Sequence, residues 1–166
     1  MKLIFLLLLS AMFVGCATTK ELQEAPSCKV WKEQPVIGPL VMDVRDNSVV
    51  KKGQCLFWFW GCTERKTEIE TNGDIYHTGE GIFSSRTKIA SVRGKEIFYE
   101  KSVFDSLLNA DPVQLDMDNK MAHRQVTAKI FGSSSTAKDD LAFNGACKQN
   151  EAAVGAIALW INESKK

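Results

Sequence analysis

The chain has 166 residues, 45% of them hydrophobic, with 21 Lys and Arg against 20 Asp and Glu. That length suits one domain with a sizeable core. No basic excess, arginine run or arginine-aromatic interleaving is present to follow a phosphate backbone, which argues against nucleic acid as a partner.

Met1 and Lys2 precede an apolar run, Leu3 to Val14, which only Ser10 interrupts and which closes at Gly15-Cys16. A positive end, a short apolar run and a small residue form the layout of a secretory signal peptide. The run falls short of the roughly 20 apolar residues that a spanning helix needs. The closing residues, Phe13-Val14-Gly15-Cys16, resemble the lipobox of bacterial lipoproteins, with Phe13 where that family usually has leucine. The resemblance implies removal of residues 1–15, a thioether-linked diacylglycerol on Cys16 and a further acyl chain on the new amine. It also implies placement at the outer membrane, facing the periplasm, because Ala17 is not the aspartate that signals inner-membrane retention. At about 0.8 kcal/mol per buried methylene, three acyl chains make release negligible. The alternative is an ordinary signal peptide that leaves Cys16 as a thiol.

The remaining cysteines are Cys28, Cys55, Cys62 and Cys147. An even set in an exported chain reads as two disulfides, with three connectivities open. The favoured one joins Cys55 to Cys62 locally and Cys28 to Cys147 near the two ends. A zinc site is the rival use, but no Cys-x-x-Cys pair is present.

Residues 16–27 are polar and aperiodic and read as a lipidated tether; residues 28–166 read as one periplasmic domain. Trp31, Pro35, Gly38 and Pro39 predict an irregular packed segment over 28–39. Leu40 to Val44, Asp46-Asn47-Ser48 and Val49-Val50 predict strand, turn and strand. Leu56-Phe57-Trp58-Phe59-Trp60 is the most apolar stretch beyond the signal peptide. Strand alternation sets Trp58 and Trp60 on one face and Phe57 and Phe59 on the other. That stretch is either core or, with Trp58 and Trp60 as the candidate contact site, a surface for a partner.

Asn72-Gly73 between alternating segments predicts a two-residue hairpin that pairs Ile69 with Tyr76 and Glu68 with His77. A second hairpin is expected for 88–92 and 95–99 about Arg93-Gly94. Residues 103–109 read as a short helix, and 113–117 and 125–131 as strands. Thr136 and Asp139 have the spacing of a capping arrangement, which predicts a helix over 137–154 ending at Gly155, then a strand through Ile157, Leu159 and Ile161. A helix over 151–161 competes for the same residues. The expected fold class is therefore α+β, a mainly antiparallel sheet of hairpins with one or two helices in the C-terminal half.

Chemistry is sparse. His77 opposite Glu68 lacks a nucleophile motif, and His123 has no visible partner. Asp116 and Asp118 fail the calcium-loop pattern, since Lys120 stands at a ligand place. Gly132 to Thr136 lacks the lysine and spaced glycines of a phosphate loop. The sequence thus points to a non-enzymatic envelope protein with no cofactor or metal, anchored through lipid on Cys16. Its expected work is binding another envelope protein, for instance as an accessory subunit of an outer-membrane assembly. The alternatives are a module for an apolar or cell-wall-derived ligand and an envelope enzyme.

Overall fold

The computed structural model describes residues 26–55, 62–79, 85–100, 108–110, 112–130 and 132–163. Its elements in chain order are β1 (Cys28–Lys32), β2 (Leu40–Val44), β3 (Ser48–Cys55), β4 (Cys62–Ile69), β5 (Asp74–Thr78), β6 (Arg86–Arg93), β7 (Glu96–Tyr99), β8 (Leu108–Ala110), β9 (Val113–Asp116), β10 (Met121–Ile130), β11 (Ser133–Phe143) and α1 (Gln149–Glu163). The strands form one eleven-stranded sheet in the order β2-β1-β11-β10-β9-β7-β6-β5-β4-β3, with β8 beside β10. Most strands therefore pair with their neighbour in sequence and β11 returns to pair with β1, while β7 pairs with β9, β8 with β10, and no ladder joins β2 to β3 among the described residues. Every pairing is antiparallel, and the sheet curls into a nearly closed up-and-down barrel.

Two chain breaks have visible causes. β8 and β9 both pair with β10, but the register slips by one residue between Ala110 and Gln114. Pro112 lies in that gap, and a proline cannot donate to the ladder. In β3 the register shifts between Lys52 and Cys55, which leaves Cys55 opposite Cys62.

The turns at Asp46-Asn47, Asn72-Gly73 and Gly94 sit at one end of the barrel, and the turn between Ile130 and Ser133 sits at the other. Asp46 and Asn47 both have positive φ, 50° and 57°, as a two-residue primed turn demands. The Asn72-Gly73 turn differs from the expected one. Ile69 pairs with Ile75, Glu68 with Tyr76 and Thr67 with His77, one residue off the anticipated register. Only Gly73 takes positive φ; its N–H donates to Glu70 O, and Asn72 Oδ1 accepts from the Asp74 N–H. The loop is thus three residues long. The slip turns His77 to the interior beside Thr67, and Glu68 instead joins Lys66 and Arg86 on the outer wall. The second hairpin forms where it was expected, but Arg93 pairs with Glu96 and Val92 with Ile97, so its two loop residues are Gly94 and Lys95 rather than Arg93 and Gly94.

α1 packs against β1, β2, β3, β4, β9 and β10, so it runs inside the barrel. Ala152 through Ile161 are all buried, the mark of a helix covered on every side. This corrects two expectations: 133–143 is a strand, not the start of a helix, and 155–161 belongs to a helix, not a strand. Residues 28–32 are likewise a strand rather than irregular. Of the expected 103–109 helix, residues 101–107 lie outside the described set, and Leu108 begins β8.

The helix fits because it is thin. Ala152, Ala153, Gly155, Ala156 and Ala158 keep it narrow, while Ile157, Leu159 and Trp160 fill the wider parts. A Cβ on Gly155 would lie 2.5 Å from Val30 Cγ2 and 2.9 Å from Val44 Cγ2. Both neighbours are β-branched and stiff about χ1, so neither can swing away. At the helix start the Glu151 carboxylate accepts the Lys148 N–H at 2.9 Å, half of a capping box. Just before it, Cys147 is bonded to Cys28 on β1. That bridge spans 119 residues, worth roughly 5 kcal/mol on the chain-entropy model.

Gly155→Ala tests this packing. Alanine is the better helix former by about 1 kcal/mol, but overpacking against two valines outweighs that. The expected net loss is about 1 to 3 kcal/mol in denaturant unfolding.

Candidate functional site

Among the described residues the strand order ends at β2 and β3 with no ladder between them, and a second, shorter gap lies beside β8, which pairs with β10 but not with β7. β2 and β3 meet at the Arg45–Ser48 bridge, where each residue's N–H donates to the other's carbonyl at 2.9 Å. Above that bridge no ladder joins them among the described residues, and they form the two ends of the strand order. The result is a seam with a backbone edge on either side. On its inner side Met42 and Val44 come from β2 and Val49 from β3, all buried; Val41 and Asp43 of β2 and Val50 of β3 face outward.

Behind the seam the core is sealed: Met42, Val49, Ala158 and Ile161 are buried at 5 to 8% exposure, as is Ile69 of β4 at 7%, and Val44 is 2% exposed. The exposed apolar surface lies outside it. Of the five large apolar side chains that are exposed among the described residues, Val36, Ile37, Val41 and Val50 stand on β2, β3 or the loop that leads into β2. Val36 and Ile37, at 91% and 81%, sit between Pro35 and Gly38. Behind β3 lies a recess of only about 20 Å³, lined by Met42, Val49, Lys51, Arg65, Thr67 and His77 from the wall and Ala158, Ile161 and Asn162 from the helix. That is room for about one water.

The far end of α1 is held by charge. Its own last turn has no basic residue, and the wall supplies cations in its place. Arg124 Nε and Nη2 donate to Asp139 Oδ2 at 2.9 and 2.6 Å. Lys32 Nζ donates to Asp139 Oδ1 at 2.8 Å and Glu163 Oε2 at 3.0 Å, and Lys51 Nζ donates to Asn162 Oδ1. The Arg124 guanidinium also lies 4.5 Å over the ring of Trp160. Cations at a helix C-terminus complement its macrodipole. Burial works to raise Asp139, but hydrogen bonds from Lys32 and Arg124 outweigh it and hold the carboxyl below its usual 3.8. Burial likewise works to lower Lys32, and its bonds to Asp139 and Glu163 raise it instead. The Tyr99 hydroxyl, buried beside Arg124, is pushed far up by desolvation.

The histidines acquire partners that the sequence did not show. Thr67 Oγ1 lies 3.0 Å from His77 Nδ1 inside the barrel. His123 Nδ1 lies 2.9 Å from Asp140 Oδ1 on the outer wall, where the two pair in register on β10 and β11. This outer pair rims a groove of about 470 Å³ with Glu96, Gln114 and Lys138, and among the described residues that line it none is Ser, Thr or Cys. Asp116 accepts from Asn119 and from the Asp118 N–H, which caps a turn. No cluster of metal-ligating side chains occurs among the described residues.

Of the residues singled out from the sequence, Cys28 and Cys147 are joined. Cys55 and Cys62 face each other in register, but their side chains lie outside the described set. Cys16, Trp58 and Trp60 also lie outside it. The sequence reading missed the seam, whose available signal was Val36-Ile37, an apolar pair between two prolines. The chain matches no protein-family model, no curated protein and no solved structure.

The charged cluster predicts a pH dependence. A carboxyl whose folded pKa is depressed contributes stability above its unfolded value and loses it as pH falls through the folded one. Stability should therefore drop below about pH 4, and Asp139→Asn should both destabilise by about 2 to 3 kcal/mol at neutral pH and flatten the acid limb. Denaturant midpoints between pH 7 and pH 2 check this.

Proposed function

We propose that the chain is a lipid-anchored outer-membrane protein, facing the periplasm, that works by binding another envelope protein as an accessory subunit. The observation that carries this reading is the seam, where exposed apolar side chains flank two unpaired sheet edges on a molecule whose lumen is already full. Exposed apolar surface of this kind marks interaction sites. A barrel that holds an apolar ligand needs an open interior, and α1 occupies this one.

The geometry of anchoring supports the same reading. Pro26 and Ser27 leave the barrel at the end that holds the Asp46-Asn47 turn, beside a groove shared with Arg45, Asp46 and Asn144. β3 ends and β4 begins at the opposite end. Ten residues, 16–25, give the tether a reach of up to about 35 Å. With the lipid on Cys16 this sets that turn end toward the membrane and the opposite end toward the periplasm. The outward positions of β4 and β6 carry Lys66, Glu68 and Arg86 in an ion-pair network. A lipid-facing barrel wall would carry an apolar band there.

Two experiments test the reading. Cys16→Ser should abolish lipid labelling and leave a precursor or a soluble species; a variant still labelled and still partitioning into detergent refutes the anchor. A photo-crosslinking residue at Ile37 or Val41 should give protein adducts of discrete mass in the envelope, and one at Thr87 on the far wall should not. Equal adducts at all three positions, or none, would count against a partner-binding seam.

A further inference from the structure

We propose that the seam between β2 and β3 is a strand-addition site, which takes an extended segment of a partner protein with apolar residues at alternate positions and acidic residues among them. This rests on the partner-binding reading above and names its mode. Edge strands present rows of unpaired N–H and C=O groups, and an extended backbone is the group that satisfies them. Here two such edges face each other above the Arg45–Ser48 bridge, so one entering strand can pair with either or both.

The side chains define what enters. Inward residues of the added strand would lie over the buried apolar layer of Met42, Val49, Ala158 and Ile161, and so should be apolar. The recess behind β3, about 20 Å³, is too small for an acyl chain or a sugar, so contact must come from backbone pairing and shallow side-chain burial. Val41 and Val50 on the outer face add apolar contact for β-branched residues.

Charge separates a foreign strand from a second copy of this chain. β3 carries Lys51 and Lys52 in succession, one reaching inward to Asn162 and the next on the outer face opposite Glu64. An inward-pointing charge and an edge lysine are the devices by which sheets resist pairing with their own kind, because like charges placed opposite one another repel. Two β3 edges brought together would confront four lysines. An acidic residue at the level of Lys51 and Lys52 turns that repulsion into attraction.

The test uses the full processed chain in detergent and three labelled nonapeptides. One alternates valine and threonine and carries two glutamates at threonine positions; the second has lysines in their place; the third repeats the first with alternate amides N-methylated. The glutamate peptide should bind about tenfold or more tightly than the lysine peptide in fluorescence anisotropy, and the N-methylated peptide should bind as weakly as the lysine one. Binding should slow hydrogen exchange at the amides of β2 and β3. Lys51→Glu with Lys52→Glu should invert the charge preference, and Val41→Ser, which removes apolar contact at an exposed position without changing charge, should weaken the glutamate peptide while leaving the unfolding midpoint in place. Equal binding by the N-methylated peptide, exchange protection confined to other strands, or no binding at millimolar peptide overturns strand addition. Crosslinks from Ile37 or Val41 together with an indifferent N-methylated peptide leave the partner reading standing and sink this one. Peptide binding at the seam without any envelope adduct does the reverse.

Discussion

The burial of one apolar helix inside the sheet is the constraint from which the rest of the structure follows. Ten consecutive residues of α1 are buried, and no face of it is suited to water. The sheet has the complementary problem, since its inward residues need something to cover them and a barrel this wide cannot be filled by its own side chains alone. Each solves the other's difficulty. Full burial of a single Ile, Leu or Val is worth about 1.5 to 3 kcal/mol, so α1 together with Val30, Ile75, Ile89, Ile97, Val113, Leu115 and Leu141 outweighs every surface ion pair in the molecule. The Cys28–Cys147 bridge fixes the place where the chain turns inward, and the cations of Lys32, Lys51 and Arg124 fix where the helix stops.

A filled lumen also explains why an incomplete barrel is stable. Closure usually abolishes the exposed edges of a sheet, but here the core is sealed by the helix, and closure contributes mainly by hydrogen bonding along one last ladder. A net worth of about 1 kcal/mol per hydrogen bond makes that ladder dispensable in a structure with this much apolar burial. The bulge in β3 between Lys52 and Cys55 turns that strand locally, and bulges of this kind end or redirect pairing at sheet edges.

The sequence revealed those parts in which local chemistry dictates local shape. Asp46-Asn47, the place of the Gly94 turn, the strands 40–44 and 113–117 and the long-range cysteine pair were all legible, because turn residues and alternation act over a few positions. The failures have separate causes, the first of which is that the interior of this barrel is polar at one end. In β11, Ala137, Asp139, Leu141 and Phe143 lie on one face, but Asp139 interrupts the apolar alternation, and its partner Arg124 lies on another strand. With the alternation broken, the Thr136–Asp139 spacing imitated a helix cap. The helix itself was ambiguous for the opposite reason, since a segment apolar on all sides has no periodicity to read. At Asn72-Gly73 the turn was right and the loop length wrong by one residue, enough to send His77 to the other face of the sheet.

The same polar end ties the helix to the open seam. Lys51 belongs to β3, the strand with a free edge, yet its ammonium donates to Asn162 in the last turn of α1. Lys32, at the end of β1, reaches Glu163 in that turn and Asp139 on β11. The helix end is thus tied to strands on both sides of the gap. β3 is held by β4, by its bridge at the turn, by the packing of Val49 on α1 and by the Lys51 tie. Its edge is therefore anchored although no ladder joins it to β2 among the described residues. An anchored edge lowers the entropic cost that an incoming segment must overcome, which is the physical difference between a binding site and a frayed edge.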